Sequence, residues 1–142
     1  MTRESFAPFG VLIDSRGSVE IDLCEGRPSL TGATAEPRPM KFDFMARHRR
    51  TMQVFSPLAL SQSIIAVAPP CEGDAPDIER VVAFLVSGRL PYAYHKGTWH
   101  TPPFPLGEWA SYLVVDRSGT LDDDWELVDL KAMRQVSFEI EL

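Results

Sequence analysis

Short segments with a strand-like period of two constrain the fold of this chain more than any other feature. Twelve prolines and nine glycines in 142 residues separate these segments. Near the C-terminus, Val136, Phe138, Ile140 and Leu142 alternate with polar side chains, as in a strand with one face on a core. The sequence therefore predicts an all-β fold with a few short helical turns and no long helix.

Three apolar runs are continuous, as expected for strands that are covered on both faces. They are 63–68, 81–86 and 112–115. One helical turn is predicted at 76–80, with Asp74 as its cap. The stretch 26–39 has no clear period and is rich in Pro, Gly, Ser and Thr, which indicates a long surface loop. Strand-like segments about ten residues apart predict a sandwich or closed barrel, formed by a single domain over 1–142.

The net charge of −6 argues against a nucleic-acid partner, because phosphate contacts require clustered Lys and Arg. The longest apolar stretch, 64–70, is far shorter than a membrane span. The first residues open no signal-peptide pattern, which predicts a cytoplasmic protein. Cys24 and Cys71 are far apart in sequence, so both are expected to be free thiols.

Chemically versatile side chains are concentrated in residues 90–102. This segment holds His95 and His100 together with two tyrosines and Lys96. On an unbroken strand the two histidines would face opposite sides, but Gly97 allows a turn that could bring them together. The segment is therefore the first candidate for a functional site.

Several pieces of the sequence are similar to the signature of the ureidoglycolate lyase family. They are Tyr-His-Lys-Gly-Thr-Trp-His at 94–100, Ser-Tyr-Leu-Val-Val-Asp-Arg at 111–117, Phe9-Gly10, Arg47-His48 with Gln53, Phe55 and Pro57, and Ala83-Phe84. The chain departs from the family pattern at Ala46, where a Glu is common, and at Thr101, where a second His is common.

The resemblance implies a cupin-like β-barrel, usually a homodimer, that cleaves ureidoglycolate to glyoxylate and urea in purine-nitrogen salvage. The departures leave two alternatives open. One is a cupin-like lyase, isomerase or decarboxylase acting on another small hydroxy or oxo acid. The other is a non-catalytic domain that binds a small carboxylate. A nucleophilic hydrolase is not favoured, because no Gly-x-Ser-x-Gly elbow is present.

Elimination of urea needs a base, an acid and a cation that holds the substrate carboxylate. His100 is the first choice for proton transfer, with His95 or Tyr94 as the partner acid. The other residues are expected to bind the substrate, with Lys96 and Arg47 on the carboxylate. This substrate-binding set is Lys96, Arg47, Gln53, His48 and Arg117.

No cofactor is expected, because the His-x-His spacing of metal cupins is absent. A divalent metal such as nickel, zinc or manganese is the alternative. His48, His95 and His100 could then supply three nitrogens, with Glu108 or Gln53 as a further ligand.

Overall fold

Short strands make up most of the regular structure in the computed structural model, which describes residues 1–14 and 17–142. In chain order the strands are β1 (Gly10–Leu12), β2 (Pro28–Ala35), β3 (Lys41–Phe42), β4 (Phe44–Arg47), β5 (Gln53–Pro57), β6 (Ser61–Ala68), β7 (Val82–Gly88), β8 (Tyr92–Tyr94), β9 (Trp99–His100), β10 (Phe104–Pro105), β11 (Ala110–Arg117), β12 (Glu126–Asp129) and β13 (Phe138–Glu139). The helices are α1 (Arg3–Phe6), α2 (Thr120–Asp123), α3 (Leu130–Arg134) and a 3₁₀ turn at Ile78–Arg80. The predicted all-β fold with a few short helical turns is confirmed.

Two antiparallel sheets pack face to face. The first has the strand order β1-β8-β5-β11-β2, and the second has the order β10-β6-β9-β4-β12 with β7 paired to β6. The core between them draws apolar side chains from both sheets and from the N-terminal segment: Phe6, Phe9, Leu12, Phe55, Ile65, Val67, Phe84, Val86, Tyr92, Tyr94, Ala110, Tyr112 and Val114. This arrangement is the cupin-like sandwich that the period-two segments and the resemblance predict.

Strand β2 corrects the prediction of a long loop over 26–39. All eight of its residues pair with β11, from Ala35 opposite Ala110 to Pro28 opposite Arg117. Because β2 is an edge strand, most of its side chains are exposed. Main-chain hydrogen bonds to β11 therefore keep this segment in the sheet. Because few of its side chains are apolar, the sequence shows no alternation of apolar and polar residues that would predict a strand.

The central strand β6 is buried on both faces from Ser63 to Ala68, as its continuous apolar run predicts. The same prediction is wrong for β7, where Val82 and Leu85 are exposed. The helical turn predicted at 76–80 is present as the 3₁₀ turn, but the cap is Asp77 instead of Asp74. No helix within 1–14 and 17–142 is both long and apolar enough to cross a membrane.

The alternation near the C-terminus is confirmed only in part. Val136, Phe138 and Ile140 are half-buried, whereas Leu142 is 85% exposed and the strand contains only two residues. Cys24 and Cys71 are both free, as expected.

Gly10 in β1 lies too close to its neighbouring strand for any side chain. A Cβ there would be 2.0 Å from the carbonyl oxygen of Ala93 and 2.8 Å from the Phe6 ring. We expect Gly10→Ala to lower the free energy of unfolding by about 2 kcal/mol, because the backbone of β8 would have to move. Chemical denaturation measures this change. Gly107→Ala is the control, since its Cβ would meet open space, and equal stability of the two variants would contradict the prediction.

Candidate functional site

A cleft of about 590 Å³ opens where the edge strand β2 of the first sheet lies opposite β4 and β12 of the second. Its walls are mostly apolar, with Phe44, Trp125 and Leu127 among the lining residues. The buried polar side chains that line it are His48, Gln53 and His100. An apolar cleft with a few convergent polar groups is the usual form of a small-molecule site.

Strand register brings the three polar side chains together. Ala46 of β4 pairs with His100 of β9, and His48 lies two residues beyond Ala46 on the same face. Gln53 of β5 pairs with Tyr94 of β8, whose ring stacks on the His100 ring at 4.7 Å between centroids. The cleft therefore joins polar groups from both sheets.

Main-chain carbonyls fix the tautomers of both histidines. His48 Nδ1 lies 2.6 Å from the Asp124 carbonyl oxygen, and His100 Nδ1 lies 2.9 Å from that of Thr98. A carbonyl oxygen only accepts hydrogen bonds, so each Nδ1 carries the proton and donates. In the neutral form of either ring the lone pair is then on Nε2, and neither Nε2 has a hydrogen-bond partner among the described residues.

His100 is held in its neutral form. The ring is buried, and the His48 ring lies 5.4 Å away between centroids. Burial and, secondly, the neighbouring His48 lower the pKa of His100 to about 4, against a smaller opposing effect of its bond to Thr98. At neutral pH, His100 can therefore accept a proton at Nε2.

This lowered pKa predicts a specific loss of stability in acid. Between pH 6.5 and 4 the unfolded chain protonates His100 while the folded protein does not, so falling pH favours unfolding. His100 should contribute a loss of about 3 kcal/mol over this range, at about 1.4 kcal/mol per pKa unit. The measurement compares denaturation of wild type and His100→Gln from pH 7 to pH 4. If the free energies of unfolding of the two proteins changed equally with pH, the prediction would be contradicted.

Gln53 is oriented by a residue that sequence analysis did not select. Its Nε2 donates to Oδ2 of Asp116 at 3.1 Å. Both residues also line an adjoining pocket of about 460 Å³, which contains Arg117 and shares Ala33, Gln53 and Phe55 with the cleft. Arg117 is thus a predicted cation that lines a pocket sharing three residues with the cleft, although it is ion-paired with Asp123.

Arg47, which the sequence analysis expects on the substrate carboxylate, lies outside the cleft. Neighbouring residues of a strand face opposite sides, and Arg47 faces the outer side of the second sheet. There its Nε donates to Glu126 at 2.7 Å, and its guanidinium lies over the Trp99 ring at 4.2 Å. Its environment is that of a structural residue.

His95 and Lys96 do not line the cleft with His100, so the turn at Gly97 does not bring the two histidines together; Tyr94 contacts the His100 ring but does not line the cleft. His95 Nε2 lies 3.2 Å from the Ala7 carbonyl oxygen, at the N-terminal helix. Lys96 lines a separate surface pocket and pairs with Asp22, whose hydrogen bond raises the pKa of Lys96. Tyr94 is buried in the core, and burial raises the pKa of its phenol.

The three-histidine metal site considered from the sequence does not assemble, because His95 is directed away from His48 and His100. Glu108 lines another surface pocket. Residues 1–14 and 17–142 contain no group of three or more His, Cys, Asp and Glu placed to hold a metal ion. The expectation that no cofactor is needed stays a prediction, which metal analysis of the purified protein and turnover after chelator treatment would check.

Asp124 is a further residue that sequence analysis missed. Its carboxylate accepts hydrogen bonds from the main-chain N–H groups of Arg49 and Arg50 at 2.8 and 2.9 Å, while its carbonyl oxygen holds His48. The partners are more than 70 residues apart in sequence, so no local pattern indicates the contact. For Asp116 a signal existed, since it shares the inward face of β11 with Tyr112.

Comparison with known proteins identifies close relatives. A family model described as ureidoglycolate lyase matches residues 18–137. A protein named ureidoglycolate lyase from Pseudomonas savastanoi pv. phaseolicola is 34% identical over 139 residues, covering 84% of this chain and 81% of its own. Proteins of the same name from Azotobacter vinelandii and Burkholderia mallei are each 35% identical and cover 84% of this chain, with 82% and 80% of their own lengths.

Proposed function

The chain belongs to the ureidoglycolate lyase family, and we propose that it cleaves ureidoglycolate into glyoxylate and urea. The observation that carries the proposal is the pair of imidazoles of His48 and His100, which line one apolar cleft and whose Nε2 atoms have no hydrogen-bond partner among the described residues. Imidazole nitrogens can take up and return a proton, which suits a reaction in which a proton moves between two atoms of one substrate.

The reaction moves one proton within the substrate. The carbinol hydroxyl loses its proton, its oxygen forms the aldehyde C=O of glyoxylate, and the C–N bond breaks. The electron pair of that bond goes to the ureido nitrogen, which takes up a proton to give urea. Because no proton is gained or lost overall, one residue can take the proton from oxygen and return it to nitrogen.

His100 is the residue best suited to carry that proton. Its Nε2 is free to accept, because Nδ1–H is held by the Thr98 carbonyl. The lowered pKa of the ring, about 4, makes its imidazolium more acidic than an ordinary one, so the proton passes readily to the departing nitrogen, whereas its uptake from the hydroxyl is the more demanding transfer. His48 offers a second Nε2 within the same cleft for the hydroxyl or ureido group.

The substrate carboxylate requires a cation, and Arg117 is the best-placed candidate among the predicted residues. It lines the pocket that shares Ala33, Gln53 and Phe55 with the cleft. Lys96 and Arg47, the earlier choices, are engaged with Asp22 and Glu126 elsewhere. A guanidinium can add a carboxylate partner because it has five N–H donors.

Glyoxylate release from ureidoglycolate by the purified protein tests the proposed function. We expect turnover that saturates with substrate and yields urea in equal amount. Binding without turnover would favour the small-carboxylate-binding domain instead. Turnover only of another hydroxy or oxo acid would favour the alternative lyase, isomerase or decarboxylase.

Family membership also supports a homodimer that acts in the cytoplasm in purine-nitrogen salvage. Light scattering checks the dimer directly, and a particle with the single-chain mass of 15.9 kDa at micromolar concentration would contradict it. Loss of growth on allantoin as nitrogen source after deletion of the coding sequence would support the pathway assignment.

A further inference from the structure

The polar groups that line the cleft have one property in common. In the neutral ring, the Nδ1–H bond of His48 and that of His100 each leave a hydrogen-bond acceptor at Nε2. Gln53 contributes a third group, because its NH₂ is directed to Asp116 and its carbonyl oxygen has no hydrogen-bond partner among the described residues. The buried polar side chains of the cleft thus present three hydrogen-bond acceptors.

The orientation of the Gln53 amide depends on Asp116. A carboxylate oxygen only accepts hydrogen bonds, so the end of the amide that meets Asp116 must be the NH₂ group. The Oε1 atom is then directed away from Asp116. Without a carboxylate at this position either end of the amide could face the cleft.

A ligand that complements three acceptors must be rich in N–H or O–H donors. The ureido group of ureidoglycolate has three N–H bonds, and the carbinol adds one O–H. An acceptor left unpaired in a buried site costs free energy, so a ligand that lacks these donors binds less well than one that has them.

We propose that Asp116 is a positioning residue that fixes the Gln53 carbonyl oxygen toward the terminal NH₂ of the ureido group and so selects ureido substrates. This inference rests on the proposed function and names a specificity determinant of the same site. Asp116 acts through Gln53 and not by contact with the reacting atoms. Its removal should therefore change discrimination between ligands more than it changes the rate of the chemical step.

Two unreactive analogues test the proposal in direct binding measurements. N-carbamoylglycine keeps the carboxylate and the ureido group but lacks the reacting hydroxyl, and N-acetylglycine replaces the terminal NH₂ with a methyl group of similar size. We expect wild type to bind N-carbamoylglycine about tenfold more tightly, the effect of one or two oriented hydrogen bonds. In Asp116→Asn this ratio should fall to about one or two, because the Gln53 amide can turn.

A double variant provides the rescue. In Asp116→Asn combined with Gln53→Glu, the Asn NH₂ donates to one carboxylate oxygen and the other oxygen faces the cleft, so the preference for N-carbamoylglycine should return. Asp129→Asn is the matched control, since Asp129 caps α3 and does not line the cleft. If Asp116→Asn does not fold, Gln53→Met removes the same acceptor and should abolish the preference by itself.

If Asp116→Asn weakened the binding of both analogues equally, the inference would be overturned, because a merely structural role affects the binding of the two ligands alike. An unchanged ratio, or a double variant without preference, would overturn it as well. The proposed function fails separately. If wild type prefers N-carbamoylglycine tenfold but releases no glyoxylate from ureidoglycolate, ureido recognition stands and the lyase activity does not.

Discussion

Replacing His100 with alanine is expected to lower kcat for ureidoglycolate by about two orders of magnitude or more, the usual contribution of a positioned acid or base. The variant removes the Nε2 atom that takes up the carbinol proton, while Nδ1 of His100 bonds only to a main-chain carbonyl. Glyoxylate release measures the rate. Circular dichroism and binding of N-carbamoylglycine show whether the fold and the cleft persist.

His95→Ala is the matched control for this experiment. It changes the same residue type in the same segment, but its ring contacts Ala7 away from the cleft and should leave kcat near the wild-type value. Added imidazole should partly restore turnover in His100→Ala, because it can occupy the vacated space and carry the proton. An undiminished rate in His100→Ala, or an equal loss in both variants, would contradict the assigned role.

The sequence predicted the fold class well because the period of two follows from strand geometry and needs no knowledge of the partner strands. It failed at β2, which is held by main-chain pairing to β11 and lies at an edge. It also misjudged β7, whose apolar run includes the exposed Val82 and Leu85. A run of apolar residues does not reveal whether a second layer covers both of its faces.

Residues selected from the sequence line the cleft where their side chains lie on the inward face of a strand. His48, Gln53 and His100 all line the cleft. Arg47 was placed with His48, although adjacent strand residues cannot share a face. The turn at Gly97, with φ of +81°, breaks the strand as expected, but it leaves His95 directed toward α1.

The contacts of the positioning residues lay beyond what a single sequence reveals. Asp116 and Gln53 are 63 residues apart, and Asp124 and His48 are 76 apart, so both contacts exist only through the pairing of distant strands. In the folded chain Asp116 accepts a hydrogen bond from Gln53, whereas its neighbour Arg117 pairs with Asp123.

Replacing Arg47 with alanine is expected to lower the free energy of unfolding by about 3 kcal/mol, because the truncation leaves a cavity beside Trp99 and removes the hydrogen bonds of a fully buried side chain. Arg47 is fully buried, with Nε 2.7 Å from Oε2 of Glu126 and Nη1 donating to the Cys71 carbonyl at 2.9 Å. Its Nη2 lies 2.6 Å from the same Glu126 oxygen without hydrogen-bond geometry. Urea or guanidinium denaturation measures the change.

Two variants separate the ion pair from the packing of the side chain. Arg49 pairs with the same Glu126 at 2.6 Å but is 39% exposed, so Arg49→Ala should cost less than about 1 kcal/mol. Arg47→Met keeps most of the buried volume over Trp99 and should cost less than Arg47→Ala, because no cavity forms. Since Arg47 lies outside the cleft, folded Arg47→Met should bind N-carbamoylglycine as wild type does. If Arg47→Met lost that binding while remaining folded, Arg47 would have to be returned to the substrate-binding set.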